Sequence, residues 1–150
     1  MEAESYADAE LSAYINENFT PLEAHIKEHP TYFHRFDANW TPTVVVLDSA
    51  GAERARNEGY LSKEEFRAWL ETALARVAFT HKRWAEAQER YARVADAYPD
   101  SAWAPEAVYW RAVSRYKATN DHTALGEVAG ELKEKYGASV WAEKASPWAH

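Results

Sequence analysis

Cysteine is missing from all 150 residues, which excludes disulfides, thiolate metal sites and nucleophilic thiol chemistry within the chain. The residues left that could do chemistry fall into four small groups. His25, Glu28, His29 and His34 bring imidazole and carboxylate close in sequence, which is metal-ligand chemistry, yet their spacing fits no usual zinc pattern and exposed histidines are the plainer reading. No metal is expected. Arg111 and Arg115, one turn apart on a helix, could grip a carboxylate such as a peptide C-terminus, but pairing with Glu or Asp of a neighbouring helix is the stronger expectation. Glu2, Glu4, Asp8 and Glu10 imitate an acid/base pair and read as a solvated face. The fourth group is Trp40, Thr41 and Pro42, an aromatic and a proline at the entry of a strand. No Ser–His–Asp spacing and no glycine-rich phosphate loop is present, the five glycines being scattered, and no cofactor is expected.

Those residues need elements to hold them. Behind Pro42 come Val44, Val45, Val46 and Leu47, an apolar run closed by the turn signal Asp48-Ser49-Ala50-Gly51. This predicts a strand buried on both faces, as in a parallel sheet under helices. A proline is tolerated at such an entry, where its missing N–H costs little. Ala52 to Glu58 alternates enough for an edge strand, followed by Gly59-Tyr60-Leu61 and a helix opened by Ser62. Upstream, the end of one helix and a break near Ser5–Asp8 lead to a helix from about Ala9 to Asn18. Asp8 is its N-cap, and Leu11, Tyr14, Ile15 and Phe19 are its buried face. Phe19 to Ile26 alternates with period two and predicts a further strand, ended by His29-Pro30. Thr31 to Asp37 then reads as a short helix carrying Tyr32, Phe33 and Phe36.

Strand, turn, strand, Gly-Tyr and helix, with Thr41-Pro42-Thr43 at the head, resemble the second half of a thioredoxin-fold domain. Met1-Glu2-Ala3-Glu4-Ser5-Tyr6-Ala7-Asp8, leading to Tyr14-Ile15-Asn16-Glu17-Asn18-Phe19, resembles the stretch just after the two cysteines in one thioredoxin-like branch, so the likeness covers roughly residues 1–70. The resemblance implies a cis Thr41–Pro42 bond and a substrate-binding loop at Thr41 and Pro42 that pairs with the backbone of a bound client; Trp40, which is not a fixed feature of the family, is counted with the loop as a substrate-binding residue. It implies a family concerned with redox homeostasis, whose cysteines would lie upstream of Met1. It also implies that the central strand leading to those cysteines is absent. The Phe19–Ile26 and Thr43–Asp48 strands would then face a gap, each unpaired polar group costing on the order of 1–3 kcal/mol if buried. Either a second chain fills the gap, the strands close up, or the gene product is longer, and the last is the favoured expectation.

From Ser62 onward the texture is helical. Ser62-Lys63-Glu64-Glu65 is a capping box, and the helix runs on through Phe66, Leu70, Leu74 and Val77 to about Phe79. A second helix, Arg83 to Ala97, puts Trp84, Ala87, Tyr91, Val94 and Tyr98 on one face and stops at Pro99. A third starts around Pro105 with Val108, Ala112 and Tyr116. A fourth, capped by Asp121, carries Leu125, Val128, Leu132 and Tyr136 to Gly137. Tyr98-Pro99-Asp100-Ser101-Ala102-Trp103-Ala104-Pro105-Glu106-Ala107 recurs as Tyr136-Gly137-Ala138-Ser139-Val140-Trp141-Ala142-Glu143-Lys144-Ala145, with Tyr, Ser, Trp, Ala and Ala in register, which suggests a short solenoid. Ala87, Tyr91, Val94 and Pro99 resemble the second helix of a tetratricopeptide repeat, while Glu71 and Ala75 stand where that motif favours Trp and Gly. Trp103, Trp110 and Trp141 read as core or inter-repeat packing, or as an exposed partner surface.

The expected architecture is therefore α/β, a partial thioredoxin-like fold over residues 1–70, followed by an all-α tetratricopeptide-like region over 71–150. A net charge of −7 argues against nucleic acid and anionic membranes as partners. No run approaches a membrane span, the first residues are acidic where a signal peptide would be basic, and a cytoplasmic protein is expected. Two functions fit. One is a non-catalytic thioredoxin-like protein acting on a protein or peptide client, with a homodimer completing the sheet. The other is the larger part of a thiol–disulfide oxidoreductase whose Cys-x-x-Cys lies upstream.

Overall fold

An aspartate ahead of an apolar-periodic stretch is a helix start, because its carboxylate can accept one of the N–H groups that the first turn leaves unpaired. Asp8 does this for α1 (Ala9–Asn18), accepting from Leu11 N at 2.9 Å. The computed structural model describes residues 8–149; the helix end and break expected before Asp8, with Glu2 and Glu4, lie outside them. The backbone separates into two compact units, Met1–Lys63 and Glu64–His150.

In the first unit α1 is followed by α2 (Pro30–Arg35), β1 (Thr43–Leu47) and β2 (Glu53–Glu58). Leu11 is fully buried on α1, with Tyr14, Ile15 and Phe19 half-buried beside it in sequence. Lys63, the last residue of the unit, pairs with Asp8 at 2.7 Å. That ammonium, followed by the Leu11 N–H, holds the Asp8 carboxyl below its ordinary range.

Two expectations fail here. The strand predicted over Phe19–Ile26 is not formed: the segment is irregular and ends in a turn in which His29 N donates to His25 O at 2.7 Å. Alternation alone makes no strand. A ladder needs a partner, and among the described residues the sheet is β1 and β2 alone. Leu22 and Ile26 are therefore left exposed. Nor is β1 a parallel strand buried on both faces. It pairs antiparallel with β2, Val45 opposite Arg56 and Val46 opposite Ala55, and only Val46 is buried while Val44 and Val45 are half-buried and Leu47 is exposed.

The hairpin turn is knitted by one side chain. Asp48, whose carboxylate is wholly buried, accepts from Ala50 N at 2.9 Å and Ala52 N at 3.0 Å through Oδ1. Its Oδ2 takes both Nε and a terminal nitrogen of Arg54 at 2.9 Å. A buried carboxylate this fully satisfied fixes the turn. Gly51 completes it at φ +83°, a conformation in which a side chain would be strained.

The second unit is all helix: α3 (Lys63–Thr80), α4 (Trp84–Ala97), α5 (Ala104–Thr119), α6 (Thr123–Tyr136) and α7 (Val140–Ala145), with a closing 3-10 turn at Ser146–Trp148. Boundaries fall within about two residues of the Pro, Gly and Asp signals. The α3–α4–α5 core gathers Ala68, Ala75, Ala78, Ala87, Tyr91, Val94 and Ala107. The α5–α6–α7 core gathers Val108, Ala112, Val128, Ala129, Leu132 and Ala145. Asp121 serves the start of α6 by accepting from Thr123 N at 3.0 Å. The sequence repeat is a repeat of local structure as well: Ser101 N donates to Tyr98 O at 3.1 Å, Ser139 N donates to Tyr136 O at 2.9 Å, and Ala107 and Ala145 are both fully buried. No helix among the described residues is long and apolar enough to cross a membrane.

Glu71, the misfit to the repeat motif, has a physical account. Its side chain is buried on α3 and is met from α4 by Arg90 at 3.2 Å and Arg93 at 3.6 Å. A buried carboxylate stripped of its cation is costly, whereas replacing the whole pair with apolar side chains is close to neutral. Arg90→Ala/Arg93→Ala, which removes both cations, is therefore expected to destabilise the protein by about 3 kcal/mol, and the Glu71→Met/Arg90→Met/Arg93→Met variant by much less. Urea unfolding of both variants checks the difference; equal losses would contradict it.

Candidate functional site

The turn after α2 delivers the chain to the loop that the sequence singles out. Asp37 takes a left-handed conformation at φ +51°, Asn39 Nδ2 donates back to Asp37 O at 3.2 Å, and an Arg56 guanidinium on β2 donates to Phe36 O. That guanidinium is itself oriented by Glu53 at 2.6 Å. The far end is held too. Thr43 Oγ1 donates to Trp40 O at 2.5 Å, and Gly59 N, just past β2, donates to Pro42 O at 2.7 Å. Gly59 sits at φ +92°, which favours glycine, and its own carbonyl accepts from Asn57 Nδ2 at 3.0 Å. The Thr41–Pro42 peptide bond is cis, as the resemblance implied.

The loop between these ties presents an indole that is 67% exposed at Trp40. Thr41 is exposed and Pro42 half-buried. The loop thus offers an exposed ring on a backbone tied at both ends, and none of the 150 residues is a thiol. Trp40, Thr41 and Pro42 are brought together with the edge of β1 at their C-terminal side, and main-chain groups there are what an extended polypeptide would pair with.

The other candidate residues resolve differently. His25, Glu28, His29 and His34 are all exposed; His25 lies 3.2 Å from Glu23, and among the described residues no group of three His, Cys, Asp or Glu could hold a metal ion. Arg111 and Arg115 take the interhelical role: Arg111 meets Glu131 at 2.7 Å, and Arg115 meets Glu127 at 3.0 Å and Asp121 at 3.4 Å. Trp103, Trp110 and Trp141 are half-buried. Trp110 stands edge-on to Phe79 at 5.0 Å and to Trp141 at 6.2 Å.

Sequence reasoning missed the pair Arg76 and Glu106, joined at 2.6 Å between α3 and α5. A signal was present: each precedes an aromatic of its own helix by one turn, Phe79 and Trp110, so that charge and ring face the same way on both helices.

Residues 1–74 match the model of a family described as a thioredoxin-like domain. No curated protein and no solved structure matches the chain. The N-terminal part is thus thioredoxin-like and free of cysteine, and an all-helical region succeeds it.

The Arg111 pairing makes one prediction about pH. Desolvation opposes the charge on Glu131, but Arg111 and Lys135 outweigh it and hold the carboxyl below its ordinary 4.5. A carboxylate depressed by folding contributes stability above its unfolded value that is lost as pH falls through the folded one. Glu131→Gln is expected to flatten the fall in stability below pH 4.5, and thermal melts on the acid side check it. A slope identical to that of the unaltered protein would refute the assignment.

Proposed function

We propose that this protein is a thiol-free, thioredoxin-like binding protein of the cytoplasm, which holds an extended protein or peptide client at Trp40, Thr41 and Pro42. The thioredoxin-like region ends near residue 70, and the helical region beyond it is a divergent tetratricopeptide-like array that adds contacts to partners. These 150 residues supply no thiolate to begin exchange with a client disulfide, and what the loop itself offers is a capture surface. The single observation that carries this reading is the exposed Trp40 ring on a backbone tied at both ends, at Phe36 and at Gly59. An exposed aromatic on a rigid support loses little entropy on binding and commonly dominates an interface. Strand β1 runs on from that loop and could accept client backbone by strand addition, or the β1 of a second copy in a homodimer.

The test uses the full chain and a reduced, carboxymethylated polypeptide as an unstructured client, with binding read by fluorescence anisotropy. Saturable binding is expected, and Trp40→Ala should weaken it by roughly tenfold or more. An unchanged affinity would remove the loop from the site. Sedimentation over a range of concentrations separates the two occupants of the β1 edge: a dimer that the client dissociates places both on the same edge, whereas a dimer indifferent to the client does not.

A further inference from the structure

The helical unit holds a pocket that neither the sequence patterns nor the thioredoxin likeness assigns. It is a cleft of about 320 Å³ lined by Arg76, Phe79, Tyr91, Glu106, Trp110 and Trp141. Its polar groups are already paired with one another. Arg76 donates to Glu106 at 2.6 Å, and the Glu106 side chain is only 13% exposed. Tyr91 is buried, which pushes its phenol above the ordinary range while the neighbouring Arg76 works against that shift. The remaining lining is ring: Phe79, Trp110 and Trp141, set edge-to-face at 5.0 and 6.2 Å. An apolar wall over a few satisfied polar groups is the usual composition of a binding pocket, and this volume is at the small end of such pockets, enough for one large side chain. Rings set edge-to-face leave faces and edges for a further aromatic.

Beyond the pocket, two ammonium groups lie over rings. Lys144, exposed on α7, lies 4.3 Å from the centre of the Trp141 ring. Past Phe79 the row continues to Trp84 at 4.9 Å, and over Trp84 stands the exposed Lys117 at 6.0 Å. Glu106, the pocket's own carboxylate, is neutralised by Arg76. A row of rings therefore ends in an ammonium group on each side, within a chain whose net charge is −7.

We propose that this cleft is a second binding site, which takes an aromatic side chain of a partner peptide whose flanking residues carry carboxylates. The rings and the pocket volume select the aromatic, and Lys117 and Lys144 select the acidic flanks. Single-stranded nucleic acid also combines rings with negative charge, but two lysines on a net-acidic protein offer no track for a phosphate backbone. The site does not depend on the Trp40 loop.

The experiment measures, by anisotropy, the binding of a fluorescein-labelled nonapeptide with a central Phe and two Asp on each side to the full chain. Saturable binding that weakens with added salt is expected. Replacing the peptide's Phe by Ala should weaken it by at least roughly tenfold, as should Trp141→Ala. The Lys117→Glu/Lys144→Glu double variant alters only exposed residues, so it tests the site even if Trp141→Ala fails to fold. It should weaken binding of the acidic peptide and reverse the sign of the salt dependence. Trp40→Ala should leave binding unchanged; if it abolishes binding instead, the peptide is using the loop and this site is overturned while the loop reading stands. No saturable binding, equal binding of a Lys-flanked or Ala-centred peptide, or displacement by oligodeoxythymidine would each overturn it as well.

Discussion

Alanine at the seams between helices is the constraint on which the larger unit depends. Helices approach one another as closely as the side chains between them allow, and here the fully buried positions of α3, α4 and α5 include Ala68, Ala75, Ala78, Ala87, Ala104 and Ala107. Such seams have no room for an indole. Of the seven tryptophans in the chain, Trp69 alone is buried, and Trp84, Trp103, Trp110, Trp141 and Trp148 are pushed to half-buried positions, several of them packed ring against ring. The aromatic cleft over Arg76 and Glu106 is thus a by-product of tight helix packing. The same residues that close the core create the surface row.

The smaller unit solves a different problem. A two-stranded hairpin buries little and is marginal by itself, so order has to come from polar side chains aimed at the backbone. Asp48 closes one end of the hairpin by taking two main-chain N–H groups and the Arg54 guanidinium. Arg56 secures the approach to the other end through Phe36 O. Trp40 owes its fixed position to these bonds more than to apolar burial, which explains how so exposed a ring can sit on an ordered loop. Fidelity of the loop therefore rests on charged side chains of β2 rather than on a core beneath it.

Much of this was legible in the sequence because local signals and tertiary packing agree. The Asp8 cap, the prolines that open α2 and lie within the first turn of α5, and the apolar spacing of α4 and α6 each dictate the element that forms. What was not legible depended on partners. The period-two pattern from Phe19 to Ile26 says which face a strand would bury but not whether a second strand is there to pair with it. The run Val44–Leu47 says that the strand is apolar but not that only one edge is bonded. Glu71 read as a defect in a repeat, since its cations, Arg90 and Arg93, stand a full helix away. The Trp40–Pro42 loop was legible through family likeness, whereas the Arg76–Glu106 pair, 30 residues apart, required the fold.

The serine turn that recurs at Ser101 and Ser139 has a consequence for how the helical unit comes apart. Each turn is closed by a hydrogen bond three residues long, Tyr98 to Ser101 and Tyr136 to Ser139, and the helix pairs behind α5 touch mainly their neighbours along the chain. Where helices pack mainly on their chain neighbours, local opening can start at an end without breaching the middle. The last helix and its Trp148 can peel away at the Ser139 turn as a zipper's final teeth do, with the Ser101 turn still closed. Amide exchange would then grade along the chain, fastest beyond Ser139 and slowest around Tyr91, instead of falling in a single cooperative step.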